Sequence, residues 1–321
     1  MKILVTGATG LLGSHITNNL QADGYEVRAL VRETSNLSSL HENVETVDGD
    51  VLDIFSLEEA FEDITHVIHC AATVSFSPAK RKEMFETNID GTKNIVNQCI
   101  LSNVKLIHFS SIAALGRSQE GNLINEDTSW QDSKNNSQYA ITKYLSEMAV
   151  WAGIAEGLDA IILCPSIILG PGNWKTDSSS LFAIGNKKIP FYPTGGNGFV
   201  DVDDICLITN KLLQTSIKGE RFLLAGNNVK YQELFSHMCA VYDTDPPKKA
   251  LPWILGQIGW RFEWLRSKIL RKQPVITKET IRTTSKYYQY DSSKIEKELN
   301  FKFRPTQSSI ERIGKLFLAS Q

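Results

Sequence analysis

The stretch Thr6-Gly7-Ala8-Thr9-Gly10-Leu11-Leu12-Gly13, TGATGLLG, follows directly on the apolar run Met1-Lys2-Ile3-Leu4-Val5. A turn alone needs one glycine, and this one carries three, each three residues from the next. A helix N-terminus exposes unpaired backbone N–H groups and about half a positive charge, which suits a pyrophosphate. On that reading Gly7 allows the tight turn, Gly10 lets the backbone approach the anion, and Gly13 permits close contact of helix with strand. Thr9, Leu11 and Leu12 belong to the same turn and are expected at the dinucleotide with the glycines. A glycine-rich loop with no ligand is the bland alternative. It accounts less well for a strand, a turn and a helix standing in the order that the fingerprint demands.

Outward from this turn, short apolar or β-branched runs at 2–6, 26–31, 44–48, 66–70, 105–110 and 159–164 predict strands. Helical patterns at 13–23, 56–61, 84–102 and 137–156 lie between them. Strict alternation of strand and helix predicts an α/β fold, a doubly wound parallel sheet whose ligands bind beyond the carboxyl ends of the strands. After Pro171 the rhythm breaks into a polar loop, 172–180, and a Pro and Gly cluster, 190–198. A strand then leads through Asp201-Val202-Asp203-Asp204 into a helix within 199–213, and 221–224 reads as another strand. Beyond Val229 the chain is mostly helical, with one strand-like patch at 287–290. The expected division is a Rossmann dinucleotide domain, 1–171, to which 199–226 return. Residues 172–198 and 227–321 form a smaller, mainly helical substrate domain.

With 321 residues and 42% hydrophobic content, the chain can bury a large core. A net charge of -2 supplies no general field for nucleic acid. No run approaches the ~18 consecutive apolar residues of a membrane span, and a first strand opening at Lys2 leaves no room for a signal peptide. Cys70, Cys99, Cys164, Cys206 and Cys239 are odd in number and form no CxxC pair, so reduced thiols and a cytoplasmic location are expected. The six histidines form no HxxxH or HExxH pattern, and no metal is expected.

The end of the second strand bears on which dinucleotide is bound. An acid there holds the ribose hydroxyls of NAD, whereas a nearby arginine accommodates the 2′-phosphate of NADP. Here the strand ends Leu30-Val31-Arg32, which favours NADP over NAD because a guanidinium can pair bidentately with phosphate. Glu33 is the counter-signal, and Arg32 can also be read as an ordinary exposed arginine. Further on, in YAITKYLSE, Tyr139 and Lys143 stand four apart in a helical pattern and share one face. A phenol of pKa about 10 is a poor acid-base at neutral pH, and an ammonium ~4–6 Å away together with an oxidised nicotinamide favours the phenolate. Such pairs arise often by chance, as Tyr144 beside Lys143 shows. The run HFSSIAALG ends a strand in Ser110-Ser111, where a hydroxyl points into the ligand crevice and can donate to a carbonyl oxygen. Capping or a turn is the plain reading of those serines.

Taken together, TGATGLLG, Ser110-Ser111, the YxxxK pair, TNIDGTKNI from Thr87, CPSIILGPG from Cys164 and FVDVDDI from Phe199 resemble the extended short-chain dehydrogenase/reductases, of the NAD-dependent epimerase/dehydratase superfamily. The tail ITKETIRTTSKYYQYDSSKIEKELNF, 276–301, is similar to the dihydroflavonol-reductase-like branch. The resemblance implies Tyr139 as general acid-base, Lys143 as the group that lowers its pKa and holds the nicotinamide ribose, and Ser111 as the hydroxyl orienting the substrate oxygen. Asn88, in NxxGT, would support a proton relay or the local backbone, with a helix cap as the open alternative. Asp50 and Val51 would meet the adenine, Ala71 and Ala72 would line the cofactor cleft with Ser110, and Pro165, Ser166 and Ile167 would lie by the nicotinamide amide. Members often dimerise through four helices, here 84–102 and 137–156.

The family includes carbonyl reductases and nucleotide-sugar epimerases or dehydratases. Nucleotide-sugar members commonly carry an asparagine where this chain has Pro165 and Ser166, and an arginine where it has Gly196-Asn197-Gly198. Dehydratases use an acidic pair beside the serine, whereas Ile112, Ala113 and Ala114 follow Ser111 here. The expectation is therefore an NADP-dependent oxidoreductase passing a hydride between nicotinamide and a carbonyl or secondary alcohol of a small, apolar substrate. Such an enzyme would be dihydroflavonol-reductase-like or 3β-hydroxysteroid-dehydrogenase-like. A nucleotide-sugar enzyme and a non-catalytic NADP-sensing protein are the alternatives. One segment stays open: 248–272 carries Trp253, Trp260 and Trp264 among Leu and Ile with basic flanks. It reads as packed core or interface in preference to a roof over an apolar pocket, and as either in preference to a membrane-surface helix.

Overall fold

Ile3, Leu4 and Val5 are wholly buried although consecutive side chains of a strand point to opposite faces, so the first strand is covered on both sides. The computed structural model, which describes residues 1–75, 78–116, 123–133, 136–187, 189–270 and 277–321, shows how. Strands β1 (Lys2–Thr6), β2 (Glu26–Val31), β3 (Glu45–Asp48), β4 (His66–His69), β5 (Lys105–Phe109) and β6 (Ala160–Pro165) lie within one residue of their expected ends. With a later strand, β9 (Glu220–Leu224), they form a seven-stranded sheet of order β9-β6-β5-β4-β1-β2-β3, and every pairing is parallel.

Ile3 and Val5 face one layer of apolar residues, which includes Ile16 and Leu20 of α1 (Leu11–Ala22) and Ile205, Ile208 and Leu212 of α5 (Val202–Leu213). Leu4 faces the other, built on Leu57 of α2 (Ile54–Ala60), Ile95, Val96 and Cys99 of α3 (Gly91–Ser102), and Val150 of α4 (Gln138–Ala155). Helices cover both faces, as the alternation predicts for a Rossmann fold.

One expected helix departs from regularity. Residues 84–102 do not run as one α-helix: a short helix, Arg81–Phe85, passes through a π-helical turn, Glu86–Asp90, before α3 begins. The widened turn carries Asn88 inward to 1% exposure, the kind of interruption that collects at functional sites.

The strand expected from Phe199 is β8 (Gly196–Asp201), which begins three residues earlier, and two strands that the sequence pattern did not reveal join it. β7 (Ile167–Leu169) and β10 (Asn227–Lys230) flank it in a three-stranded sheet in which β8 is central, parallel to β7 and antiparallel to β10. Gly196, expected within a turn-forming cluster, instead sits in β8, where a Cβ would stand 2.5 Å from the Tyr287 ring and 2.6 Å from the Val229 carbonyl oxygen. The helices α6 (Tyr231–Val241) and α9 (Thr306–Ala319) pack with the short helix Ser180–Gly185 around Phe182, Phe199, Met238 and Phe317. The strand-like patch 287–290 shortens to Gln289–Tyr290, paired with Leu123–Ile124.

Asp201 ties the two parts together. Its Oδ1 accepts from the Asp203 N–H at 2.9 Å, capping α5, and from Arg312 Nη2 at 2.7 Å, while Oδ2 takes Arg304 Nη1 at 3.1 Å. The carboxyl is 2% exposed and stays below the usual carboxylate range: burial pushes it up, but the hydrogen bonds and the Arg312 charge outweigh that. Asp201→Ala removes a cap worth about 1 kcal/mol and one of the two carboxylates that hold Arg304 and Arg312, leaving both guanidinium groups on Asp203 at 3.1 and 3.0 Å, so the further loss should stay below the ~3–5 kcal/mol of a fully broken buried pair. Urea unfolding should show that loss at neutral pH. Because the folded pKa is depressed, the advantage of the wild type over the variant should fade as pH falls through the carboxylate range. An unchanged midpoint at neutral pH would count against the clamp.

Candidate active site

The crevice opens where the strand order reverses, between the carboxyl ends of β1 and β4. Gly7 turns there with φ +68°, and a Cβ on it would lie 2.6 Å from the Ala71 nitrogen. A Cβ on Gly13 would stand 2.1 Å from the Gly7 carbonyl oxygen, so α1 can rest on the turn only with glycine at that position. Gly10 is different: a Cβ there would meet only the Gly7 oxygen, at 3.3 Å. Gly10 also caps α1 without any side chain, which leaves first-turn N–H groups for a ligand.

Gly7, Thr9, Gly10, Arg32, Asp50, Val51, Ala71 and Ala72 line one cavity of about 250 Å³. Leu30, Ser35, Gly49, Cys70, Thr73 and Thr87 complete it and had no signal of their own in the sequence. Arg32 donates its backbone N–H to Ser35 Oγ at 3.0 Å, and Glu33 does not line the cavity. Leu11, Leu12 and Gly13 lie behind the wall: Leu12 packs on the core and Gly13 on Gly7. Glycines whose Cβ atoms would collide with backbone, an uncapped helix N-terminus and an arginine at the end of β2 fit a dinucleotide.

Tyr139, in the first turn of α4, borders a second cavity of about 300 Å³. Ser137 Oγ caps this helix by accepting from the Ala140 N–H at 2.9 Å. The Ser111 hydroxyl lies within hydrogen-bonding reach of the half-buried phenol. It also accepts from the Ala113 N–H at 3.2 Å, so the capping reading and the site reading of Ser111 are both met. Lys143 is 3% exposed and donates from Nζ to the Phe109 carbonyl oxygen at 2.7 Å.

Burial raises the phenol pKa of Tyr139, opposed by the bond to Ser111. Burial likewise pushes the Lys143 amine down to about 8, against the opposing influence of Cys164, Glu147 and Cys70. The lowering expected of an ammonium together with an oxidised nicotinamide is not produced by the protein's own groups, which hold the phenol neutral. Tyr144, the decoy beside Lys143, stacks on Trp130 with ring centroids 4.5 Å apart.

Ser110, expected at the cofactor, turns into the sheet–helix interface and donates to Glu147 Oε2 at 2.7 Å. Glu147, one helical turn beyond Lys143, also takes Arg221 Nη1 at 2.7 Å and Trp151 Nε1 at 3.2 Å. The sequence reading passed over it, although an acid at i+4 on that face was the available signal. Asn88 is no helix cap: its Nδ2 donates to the Thr73 carbonyl and to Thr142 Oγ1 at 3.0 and 2.9 Å, and its Oδ1 accepts from the Thr73 N–H at 2.7 Å. It fastens the cavity wall to α4, in keeping with the backbone-support reading. Pro165 and Ser166 are buried at the end of β6, with Ser166 Oγ among the buried atoms that have no partner among the described residues, and Ile167 lines the second cavity beside Tyr139.

The other walls of that cavity come from Asn197 of β8, Tyr231 of α6, four residues of α8 (Lys278–Thr284), namely Glu279, Thr280, Thr283 and Thr284, and from Tyr288 and Tyr290. Among the described residues no lysine or arginine lines it. The helix expected as core or interface, or as a roof, α7 (Trp253–Leu270), is neither core nor roof: among the described residues it contributes none to this cavity, and it leaves most of its large side chains exposed. Arg271 and Lys272, the end of that stretch, lie outside the described residues, as does Ile276.

A profile of the NAD dependent epimerase/dehydratase family matches residues 3–225. The chain is 28% identical over 305 residues to sterol demethylase protein B of Methylococcus capsulatus, covering 93% of each. It is 27% identical over 320 residues to a putative dihydroflavonol 4-reductase of Synechocystis, covering 96% of this chain and 91% of the relative. Among solved structures, that of gox2253 superposes with a TM-score of 0.84 at 29% identity, covering 99% of this chain and 98% of that one. The turn at Gly7, the cleft beside it and the Ser111, Tyr139 and Lys143 cluster stand on the scaffold these proteins share, and the chain belongs to the NAD dependent epimerase/dehydratase family.

Proposed function

We propose that the chain is an NADP-dependent oxidoreductase that interconverts a carbonyl and a secondary alcohol on a bulky, apolar substrate. The observation that carries this reading is the position of Tyr139 and Ser111: they stand together beside a tyrosine-lined cavity without a lysine or arginine among its described walls, next to the glycine-walled cleft. Gly7, Gly10 and Arg32 would hold a dinucleotide in that cleft, and its nicotinamide would supply the hydride chemistry. Tyr139, kept neutral by burial, gives its proton to the carbonyl oxygen. Ser111 accepts from the Ala113 N–H, and its O–H, which reaches the Tyr139 phenol, can turn to the same oxygen. Lys143, anchored by one bond to Phe109, has further N–H donors for the ribose and for the phenolate left behind.

Two observations favour this over the nucleotide-sugar alternative. A diphosphate needs cations, and the described walls of the second cavity present Glu279 instead. The names of the two relatives that span nearly the full chain point to a sterol and a dihydroflavonol, both bulky and largely apolar. The preference for NADP rests on Arg32 at the cleft with Glu33 outside it.

Tyr139→Phe should fold and bind NADPH, as read by nucleotide fluorescence, while turnover falls by about 10²–10⁴; normal turnover would overturn the assignment. Arg32→Ala should raise the KM for NADPH at least about tenfold, the worth of a charged hydrogen bond of about 1.5–3 kcal/mol. NADH kinetics should stay nearly constant, and equal losses for both nucleotides would refute the 2′-phosphate role. Lys143→Met bears on the buried amine. The folded wild type has its amine near 8 and the unfolded chain near the usual ~10.4. Across that window the unfolded chain binds more protons, so wild-type stability relative to the non-titrating variant should rise with pH. Melting temperatures at neutral and alkaline pH measure the difference, and a flat one would place the amine in water.

A further inference from the structure

Helix α7 is amphipathic in the reverse of the usual sense. At 100° per residue, Ile254, Leu255, Ile258, Phe262, Leu265 and Ile269 fall within an arc of about 100°, and their exposures run from 44% to 71%. Outside the arc, Gly256 approaches α8 so closely that a Cβ would stand 3.0 Å from Ile281 Cγ2. The protein therefore holds the Gly256 side of this helix and presents the apolar arc outward, with Trp253 and Trp264, 72% and 50% exposed, beyond one margin.

Cations border the arc on both margins. Arg261 and Lys268 lie along one, over the rings of Trp260 and Trp264 at 4.6 and 4.2 Å, and Arg266 lies along the other. The acid of the helix, Glu263, is set on the protein side and is held by Arg266 through two bonds of 2.7 Å. Lys248 and Lys249 precede the helix. A second copy of this surface would bring like charges together around the apolar contact, with no acid along the margins to offset them. A layer of anionic headgroups over acyl chains matches both the arc and its borders. No described helix is long and apolar enough to cross a membrane, so the contact is one of lying on the surface.

We propose that α7 is an interfacial helix that docks the protein on an anionic lipid surface, its apolar arc entering the acyl boundary and Arg261 and Lys268 meeting the headgroups. Because α7 abuts α8, and α8 lines the cavity beside Tyr139, docking holds that cavity on the protein side of α7, near the bilayer.

Co-sedimentation of the full chain with vesicles, without nucleotide or substrate, tests the contact independently of the enzymatic reading. Vesicles of phosphatidylcholine with phosphatidylglycerol should take up at least about tenfold more protein than phosphatidylcholine alone, each surface cation being worth roughly fivefold. Ile258→Asp with Phe262→Asp should abolish uptake with an unchanged melting temperature, and Arg261→Glu with Lys268→Glu should remove the preference for anionic vesicles. Wild type remaining in the supernatant with both vesicles would overturn the proposal, as would equal uptake by both. Light scattering that shows a dimer in the wild type and a monomer in Ile258→Asp with Phe262→Asp, without vesicle uptake, would assign the arc to a second copy and equally overturn it.

Discussion

Everything in the catalytic half depends on backbone touching backbone at one point of the sheet. Gly7 lies against Ala71 and Gly13 against Gly7, so β1, α1 and the end of β4 meet with no side chain between them. That contact brings the N-terminus of α1 to the switch point of a parallel sheet, where two neighbouring strands send their connections to opposite sides. A methyl group at either glycine would separate the helix from the sheet and with it the uncapped N–H groups from the cleft. The arrangement is a steric condition on which the electrostatics are then built.

The electrostatics themselves are concentrated on α4. Successive turns of that one helix carry Tyr139, Lys143 and Glu147, three groups that cost free energy to bury unless satisfied. The satisfaction differs in each case: a neighbouring hydroxyl for Tyr139, a strand-end carbonyl for Lys143, and a serine, an arginine and a tryptophan for Glu147. Arg221, from β9 at the far edge of the sheet, also reaches the Glu126 carbonyl and so joins the loop before α4 to the same network. A helix held this firmly can keep a phenol in place while chemistry changes the charge beside it.

The legible parts of the molecule are those in which local rules and global packing agree. The strands of the main sheet are continuous apolar runs because they are buried on both faces, and their ends could be read to within a residue. The glycines, Arg32 and Tyr139 with Lys143 could be read because each occupies a position set by the parallel sheet or by helical spacing. The walls of the second cavity could not: Asn197, Tyr231, Glu279 and Tyr290 come from a strand, two helices and a late extended segment that meet only in the folded chain. Ser110 misled because a strand-end serine can turn either way, and the buried Glu147 that decides it lies 37 residues on. For α7 the apolar content suggested burial, whereas most of its large apolar residues are exposed and Gly256 marks its close approach to α8.

The Asp201 clamp has a consequence for the order in which the protein comes into being. Its partner Arg312 lies 111 residues further along the chain, in the last helix. Six of the seven strands of the main sheet, and every residue lining the dinucleotide cleft, are already present by Pro165. During synthesis from the N-terminus, the chain therefore carries a nearly complete dinucleotide half before the clamp can close, and long-range closures of this kind come late in folding. The residues lining the cleft are thus all made before Asn197, Tyr231 and Glu279, which wall the second cavity.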